Sequence, residues 1–175
     1  ATTEETAAVA EAAGQLGIQK DALLDFTEIM TMLGTATNMT ADEAATSLAR
    51  FANITGMATD NYGRLGSVIV DLGNNFATTE SEIVAMGTRL ASAGKLAGLT
   101  EPEIMALAAA MSSVGIEAEA GGTAMTQTLN AIEKAVAKGG DDLAEFARIA
   151  GMSSEEFSSA WKNDAMSALT SFIGG

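Results

Sequence analysis

The chain has 175 residues and a net charge of −14, and 47% of its residues are hydrophobic while only 5% are aromatic. It contains no cysteine and no histidine, which excludes disulfides, thiol catalysis, zinc sites of the usual kind and a histidine general base. So acidic a surface repels phosphate, and we expect no nucleic-acid binding by this chain.

Apolar residues recur along the chain at the spacing of amphipathic helices, and no segment alternates with the two-residue period of a strand. Leu23, Phe26, Met30 and Leu33 form the first clear series. We predict helices near residues 2–13, 20–36, 41–53, 60–75, 80–97, 101–114, 121–138, 142–150, 154–163 and 165–173. Because the connections are short, consecutive helices should be neighbours.

The boundaries of these helices are marked by two local signals. Four helices begin with a Ser/Thr-x-x-Glu capping box, in which hydroxyl and carboxylate each accept from a free amide of the first turn: Thr40 with Glu43, Thr79 with Glu82, Thr100 with Glu103, and Ser153 with Glu156. Glycine is typical of helix ends, and it predicts stops at Gly14, Gly34, Gly56, Gly73, Gly98, Gly115 and Gly151.

These signals predict an all-α fold, a compact multi-helix module of about eight to ten short helices that are capped by Ser/Thr-x-x-Glu boxes and ended by glycine. Residues 1–14 carry few bulky side chains, and we expect them to be the end of an upstream helical or coiled segment. Residues 15–175 are expected to form a globular helical core module of a longer protein.

Carboxylates are the only candidate catalytic groups, and they occur as close pairs: Glu101/Glu103, Glu117/Glu119, Asp141/Asp142 and Glu155/Glu156. A glycosidase needs two carboxyls facing a sugar, one of them with a raised pKa. Because nearly all of these pairs lie at predicted helix starts, we interpret them as capping residues. We therefore predict that the chain is not an enzyme and uses no cofactor.

Two other patterns could bind an ion, a cation in one case and an anion in the other, but each is more simply explained by ordinary helix structure. Asp21, Asp25 and Glu28 share one helix face and could attract a cation, but they lack the tight glycine turn of a calcium loop. We interpret them as a solvated acidic face and predict no metal. The glycines of residues 121–123 precede a predicted helix whose amino terminus could hold an anion, but an isolated glycine pair is a weak signal.

A stripe of small residues is the candidate interaction feature of the sequence. Gly87, Ala91, Gly94 and Gly98 recur at i, i+4, i+7 and i+11 on one predicted helix, so another backbone can approach closely there. The stripe could be an interface between subunits, a membrane-inserting face, or a close-packing ridge within the domain, and we favour the last. Trp161 is the only tryptophan, and its helical spacing from Phe157 places it in the core.

Residues 114–125, with the sequence VGIEAEAGGTAM, resemble a signature of phage tail tape measure proteins, in the core region of this minor tail protein family. Residues 151–161 are similar to the segment that follows it in the family, and residues 44–54 and 65–75 are similar to segments that precede it. The order and spacing of these segments agree over roughly residues 8–173.

The resemblance implies a structural protein of the virion. Tape measure proteins are long and mostly helical, and they set tail length because tube subunits polymerise along them. The implied roles are tail assembly, tail-length determination and assistance to genome ejection across the host envelope. The implied location is the tail lumen, and the host cytoplasm during assembly.

The resemblance also implies partners, namely tail-tube and tail-tip proteins, together with self-association of the full-length protein. Membrane contact is expected only during genome delivery. Two alternatives stay open at this point: a membrane-active, pore-forming segment for DNA delivery, and a peptidoglycan-degrading glycosidase. Some members of the family carry hydrolase domains, but this segment matches no hydrolase motif.

Overall fold

The computed structural model describes residues 2–175, and these residues form ten α-helices, one 3₁₀ turn and no strand. The helices are α1 (Thr3–Gln15), α2 (Leu23–Ala36), α3 (Ala41–Thr55), α4 (Tyr62–Asn75), α5 (Glu80–Leu96), α6 (Glu101–Ser113), α7 (Ala118–Lys138), α8 (Asp141–Ile149), α9 (Ser154–Asn163) and α10 (Ala165–Gly174). The 3₁₀ turn, Thr59–Asn61, leads into α4. The prediction of an all-α module of eight to ten helices is confirmed.

The helix starts follow from the local sequence. All four predicted capping boxes are present, at the starts of α3, α5, α6 and α9. In the box of α3, the amide of Glu43 donates to Thr40 Oγ1 at 3.2 Å, and the amide of Thr40 donates to Glu43 Oε2 at 2.8 Å. A fifth box, Thr2 with Glu5, begins α1. Each box pairs amides that would otherwise lack a partner within the helix.

The glycines divide into two groups. Four of the predicted stops adopt a left-handed backbone at a helix end, as predicted: Gly56, Gly98, Gly115 and Gly151. The other three predictions are wrong, because Gly14, Gly34 and Gly73 lie inside α1, α2 and α4. A Cβ added at Gly34 would lie 2.6 Å from the backbone nitrogen of Ala41, so this glycine allows the start of α3 to approach α2.

Helix α5 is the centre of the module and packs against α3, α4, α6 and α7. Ile83, Met86 and Leu90 are fully buried along it. Helices two apart in the chain also pack together, as α2 does with α4 and α5 with α7. The expectation that all consecutive helices are neighbours is therefore wrong for α3 and α4 and for α6 and α7, which make no comparable contact within the described residues.

The two ends of the chain pack differently on this centre. Helix α1 lies against α2 and α3 and buries Val9 and Ala13 there. The boundary expected near residue 14 stays a prediction. Helices α8, α9 and α10 pack mainly on one another, and α8 also contacts α7. Gly139 and Gly140 join α7 to α8 with positive φ angles of 71° and 82°, a conformation that side-chain-bearing residues rarely adopt.

Candidate functional site

The paired carboxylates occupy helix starts, as the sequence indicated. Glu101 and Glu103 lie in the first turn of α6, and the other three pairs take the same place at the starts of α7, α8 and α9. Glu103 accepts from the amide of Thr100 at 2.8 Å, and Glu156 accepts from that of Ser153 at the same distance. Glu103 and Glu156 therefore satisfy cap amides, and the paired carboxylates as a group lie near the positive ends of helix dipoles.

In three of the capping boxes, the hydrogen bonds also lower the pKa of the carboxyl. A hydrogen bond from the backbone amide of Thr40, strengthened by one from its side chain, lowers the pKa of Glu43 below its ordinary value. Ser153 lowers the pKa of Glu156, and Thr79, with a further bond from Thr78, lowers that of Glu82. A general acid needs the opposite shift, so these three carboxyls are suited to capping rather than to proton donation at neutral pH.

The small-residue stripe is divided by the fold. A Cβ added at Gly87 would lie 2.6 Å from Met105 Sδ, and one at Gly94 would lie 2.8 Å from Ile104 Cγ1, so both glycines face α6. Ala91, between them, is fully buried. Gly98 does not belong to this face: it follows α5 with a φ of +88°, and a Cβ there would meet nothing within 4 Å. An interface on the stripe would require α6 to move away.

The glycines at residues 121 and 122 lie inside α7 rather than before it, so the helix starts three residues earlier than predicted. A Cβ added at Gly121 would overlap the side chain of Ile116, and one at Gly122 would lie 2.8 Å from Arg89 Cβ. Both positions are filled by neighbouring side chains and leave no room for an anion. None of the described helices is long and apolar enough to span a membrane.

Trp161 lies in the core, as predicted, and is only 2% exposed. Its Nε1 donates to Glu133 Oε2 at 2.7 Å, which ties α9 to α7. Phe157 stacks beside it with ring centroids 6.3 Å apart. Sequence reasoning missed Glu133, because the two partners are 28 residues apart and nothing local marks a glutamate as the acceptor for a buried indole.

An apolar groove of about 440 Å³ runs along the outside of the module between α2 and α4. We call it the α2–α4 groove. Helix α2 contributes Ile29, Met32 and Ala36 at helical spacing, and α4 contributes Gly63, Gly66 and Val70. Gly63 keeps the α4 side of the groove low, and Met32 is 64% exposed above it. Gly66 lies against the side chain of Leu33.

The α2–α4 groove continues into an acidic depression. Ile29 lines both, and Asp21, Asp25 and Asp60 line the depression, which measures about 190 Å³. No Lys or Arg lines either cavity. Helical spacing in the sequence predicts that Asp21 and Asp25 share a face with Glu28. In the fold, the residue that lines the depression with them is Asp60 of the 3₁₀ turn. Within residues 2–175, no set of three or more acidic side chains is arranged to hold a metal ion.

The chain was also compared with known proteins. The model of the phage-related minor tail protein family matches residues 1–174. No curated protein and no solved structure is significantly similar to the chain. The family match covers the segments on which the sequence resemblance rested, and it confirms the minor tail protein assignment. The chain therefore belongs to the phage-related minor tail proteins, which are structural components of the phage tail.

Proposed function

We propose that this chain is a compact module of a tape measure protein, acting in tail assembly and tail-length determination from the tail lumen. The observation that carries the proposal is the family match over residues 1–174. It is supported by the resemblance of residues 114–125 to the tape measure signature. The partners we propose are tail-tube and tail-tip proteins and further copies of the full-length protein. We also propose that the protein assists genome ejection.

The fold suggests how such a module contributes to a ruler. A straight helix rises about 1.5 Å per residue, so 175 residues in one rod would measure roughly 260 Å. Packed as a compact body, the same number of residues has a radius of gyration of only about 16 Å. The glycine ends and short connections favour the compact body. In our proposal, rod-like helices elsewhere in the full-length protein measure length, and this module is a bulky part joined to them.

We propose a structural rather than an enzymatic role for this module. A wall-degrading glycosidase needs one carboxyl that stays protonated near neutral pH. The carboxyls of Glu43, Glu82 and Glu156 instead have lowered pKa values, because cap amides and hydroxyls donate to them. This chemistry supports the assignment of the acidic residues to helix starts.

The length-control part of the proposal is tested by graded in-frame deletions in the helical regions of the full-length protein outside this module. Tail length in electron micrographs should fall by about 1.5 Å per deleted residue. Two deletions of different size provide the internal control, because the shortening should scale with the number of residues removed. Tails of unchanged length would contradict the proposal.

A further inference from the structure

We propose that the α2–α4 groove binds an amphipathic helix of another protein, with Lys or Arg residues of that helix at the acidic depression. Partner helices recognised in grooves present apolar side chains at i, i+3 or i+4, and i+7. The groove offers matching geometry, since Ile29, Met32 and Ala36 follow this spacing along one wall.

The size of the groove sets the length of the partner. Its α4 wall extends from Gly63 to Asn74, which is roughly 17 Å at the rise of a helix and accommodates about three turns. Gly63 leaves room for a partner side chain, whereas the side chain of Leu33 already fills the space at Gly66. The flexible thioether of Met32 can adjust to the shape of the partner side chain.

Three of the four acidic residues that line the two cavities lie at one end, and Asp71 lies toward the other end of the groove. This uneven charge favours one direction for the partner. Asp25 lies in the first turn of α2, and Asp60 lies in the 3₁₀ turn that leads into α4. The starts of both helices therefore meet at the acidic depression. A helix that runs antiparallel to α2 and α4 places its carboxyl end there, where Lys or Arg side chains also suit its own dipole.

A second copy of this chain is a poor occupant of the groove. Each copy carries a net charge of −14, so two copies repel each other. The long amphipathic helices of a second copy also bury their apolar faces already, as α5 does with Ile83, Met86 and Leu90. The inference rests on the groove and its charge, and it holds whether or not the protein controls tail length.

The test uses the full chain and a fluorescent synthetic peptide of about four helical turns, with leucines at helical spacing and lysines in its last turn. Fluorescence anisotropy should report saturable binding that weakens as salt is added. A matched peptide with glutamates in place of the lysines should bind at least about tenfold more weakly. Absence of binding by the lysine peptide, or equal binding of the two peptides, would overturn the proposal.

Two variants locate the binding site. In Gly63→Leu the new side chain enters the groove. A Cβ at this position would lie 3.7 Å from Ile29 Cδ1, which is a normal van der Waals contact, so the melting temperature should not fall. This variant should weaken peptide binding about tenfold or more, since it occupies the space of an anchoring side chain. Asp25→Asn with Asp60→Asn should weaken it roughly 2- to 30-fold at low salt, as expected for two exposed ion pairs.

The matched control is Asp141→Asn with Asp142→Asn, which makes the same change of charge in the first turn of α8, away from the groove. This variant should bind the lysine peptide as the original chain does. Equal binding by Gly63→Leu would show that the peptide binds elsewhere and would overturn the proposal. Analytical ultracentrifugation tests the other occupant. A dimer of the original chain that dissociates in Gly63→Leu would also overturn the proposal, because the occupant of the groove would then be a second copy.

Discussion

Gly34 lies in the last turn of α2, and Gly14 lies in the last turn of α1. Their surroundings differ: a Cβ on Gly34 would lie 2.6 Å from the backbone nitrogen of Ala41, whereas a Cβ on Gly14 would meet nothing within 4 Å. Backbone cannot move aside as a side chain can. A glycine in the last turn is therefore required in α2 and replaceable in α1.

We predict that Gly34→Ala lowers the free energy of unfolding by about 1–2 kcal/mol, because overpacking costs about 1–3 kcal/mol and the better helix propensity of Ala offsets part of it. Gly14→Ala is the matched control and should raise stability by roughly 0.5–1 kcal/mol. Urea unfolding of both variants provides the measurement. A stabilised Gly34→Ala protein would show that α2 and α3 do not approach as described.

The capping carboxyls give a second prediction at this scale, on pH. Thr40 and Thr79 lower the pKa values of Glu43 and Glu82 from the ordinary 4.5. A carboxyl whose pKa is lower in the folded state stabilises the fold at pH values above its ordinary pKa. This stabilisation is lost as the pH falls through the pKa of the folded state. Gln keeps the hydrogen bond of the box but not its charge.

We therefore expect the double variant Glu43→Gln with Glu82→Gln to melt below the original chain at pH 7. The difference in melting temperature should shrink as the pH falls below about 5 and vanish once both carboxyls are protonated. Because both proteins share every other titrating group, the difference isolates the two boxes. A difference that stays constant down to pH 2 would contradict the assigned cause.

Residue-scale features could be predicted from the sequence when their partners are close in the chain. The capping boxes span three residues, and all four predicted ones are present. The box at Thr2 was missed because residues 1–14 were interpreted as the end of a longer helix. The role of Gly34 depends on the approach of Ala41, which is a property of the folded chain and leaves no local pattern.

At the scale of elements, the helix pairs α2–α3 and α4–α5 share a plan that the sequence analysis did not find. In each, the first helix ends in an extended residue, Thr37 or Phe76, and the second begins at a capping threonine, Thr40 or Thr79. Gly34 and Gly73 also correspond, since each lies against the first residue of the following helix. All three correspondences have the same spacing of 39 residues.

A part-buried hydrogen bond joins α9 to α7, and this gives a prediction at the element scale. Glu133→Ala leaves the indole Nε1 of Trp161 without its acceptor, which should lower the free energy of unfolding by about 1–3 kcal/mol. Glu133→Gln retains an acceptor oxygen and should cost less. Trp161 is the only tryptophan, so its emission reports on this contact directly.

In the Glu133→Ala protein, tryptophan emission should shift to the red if α9 loosens from α7, and it should stay unchanged in Glu133→Gln. Equal stability of the two variants would mean that the hydrogen bond does not hold α9 in place.

Helix positions were predictable because apolar periodicity is a property of the local sequence, but helix neighbours were not. The 3₁₀ turn after α3 directs α4 onto α2 rather than onto α3. The α2–α4 groove results from this pairing, so no inspection of α2 alone could reveal it. Likewise, Asp60 joins Asp21 and Asp25 only because both helix starts lie at the same end.

At the scale of the whole molecule, the buried core and the charged side chains occupy separate regions. The buried side chains are mainly Ala, Leu, Ile and Met, and no charged residue is buried within residues 2–175. Small side chains allow close approach of helices, as Gly87 and Gly94 do where α6 crosses α5. The acidic groups therefore remain at the surface, at helix starts and around the α2–α4 groove, where they are available to a partner.

Our central proposal is that this chain is a compact, structural module of a phage tail ruler. Its most direct test compares two in-frame deletions of equal length, one of the module and one of rod-like helix elsewhere in the full-length protein, by tail length in electron micrographs. Loss of the rod segment should shorten tails by roughly 260 Å, and loss of the module by about 40 Å, its compact diameter. Equal shortening by both deletions would contradict a compact module, and no shortening by the rod deletion would contradict the ruler.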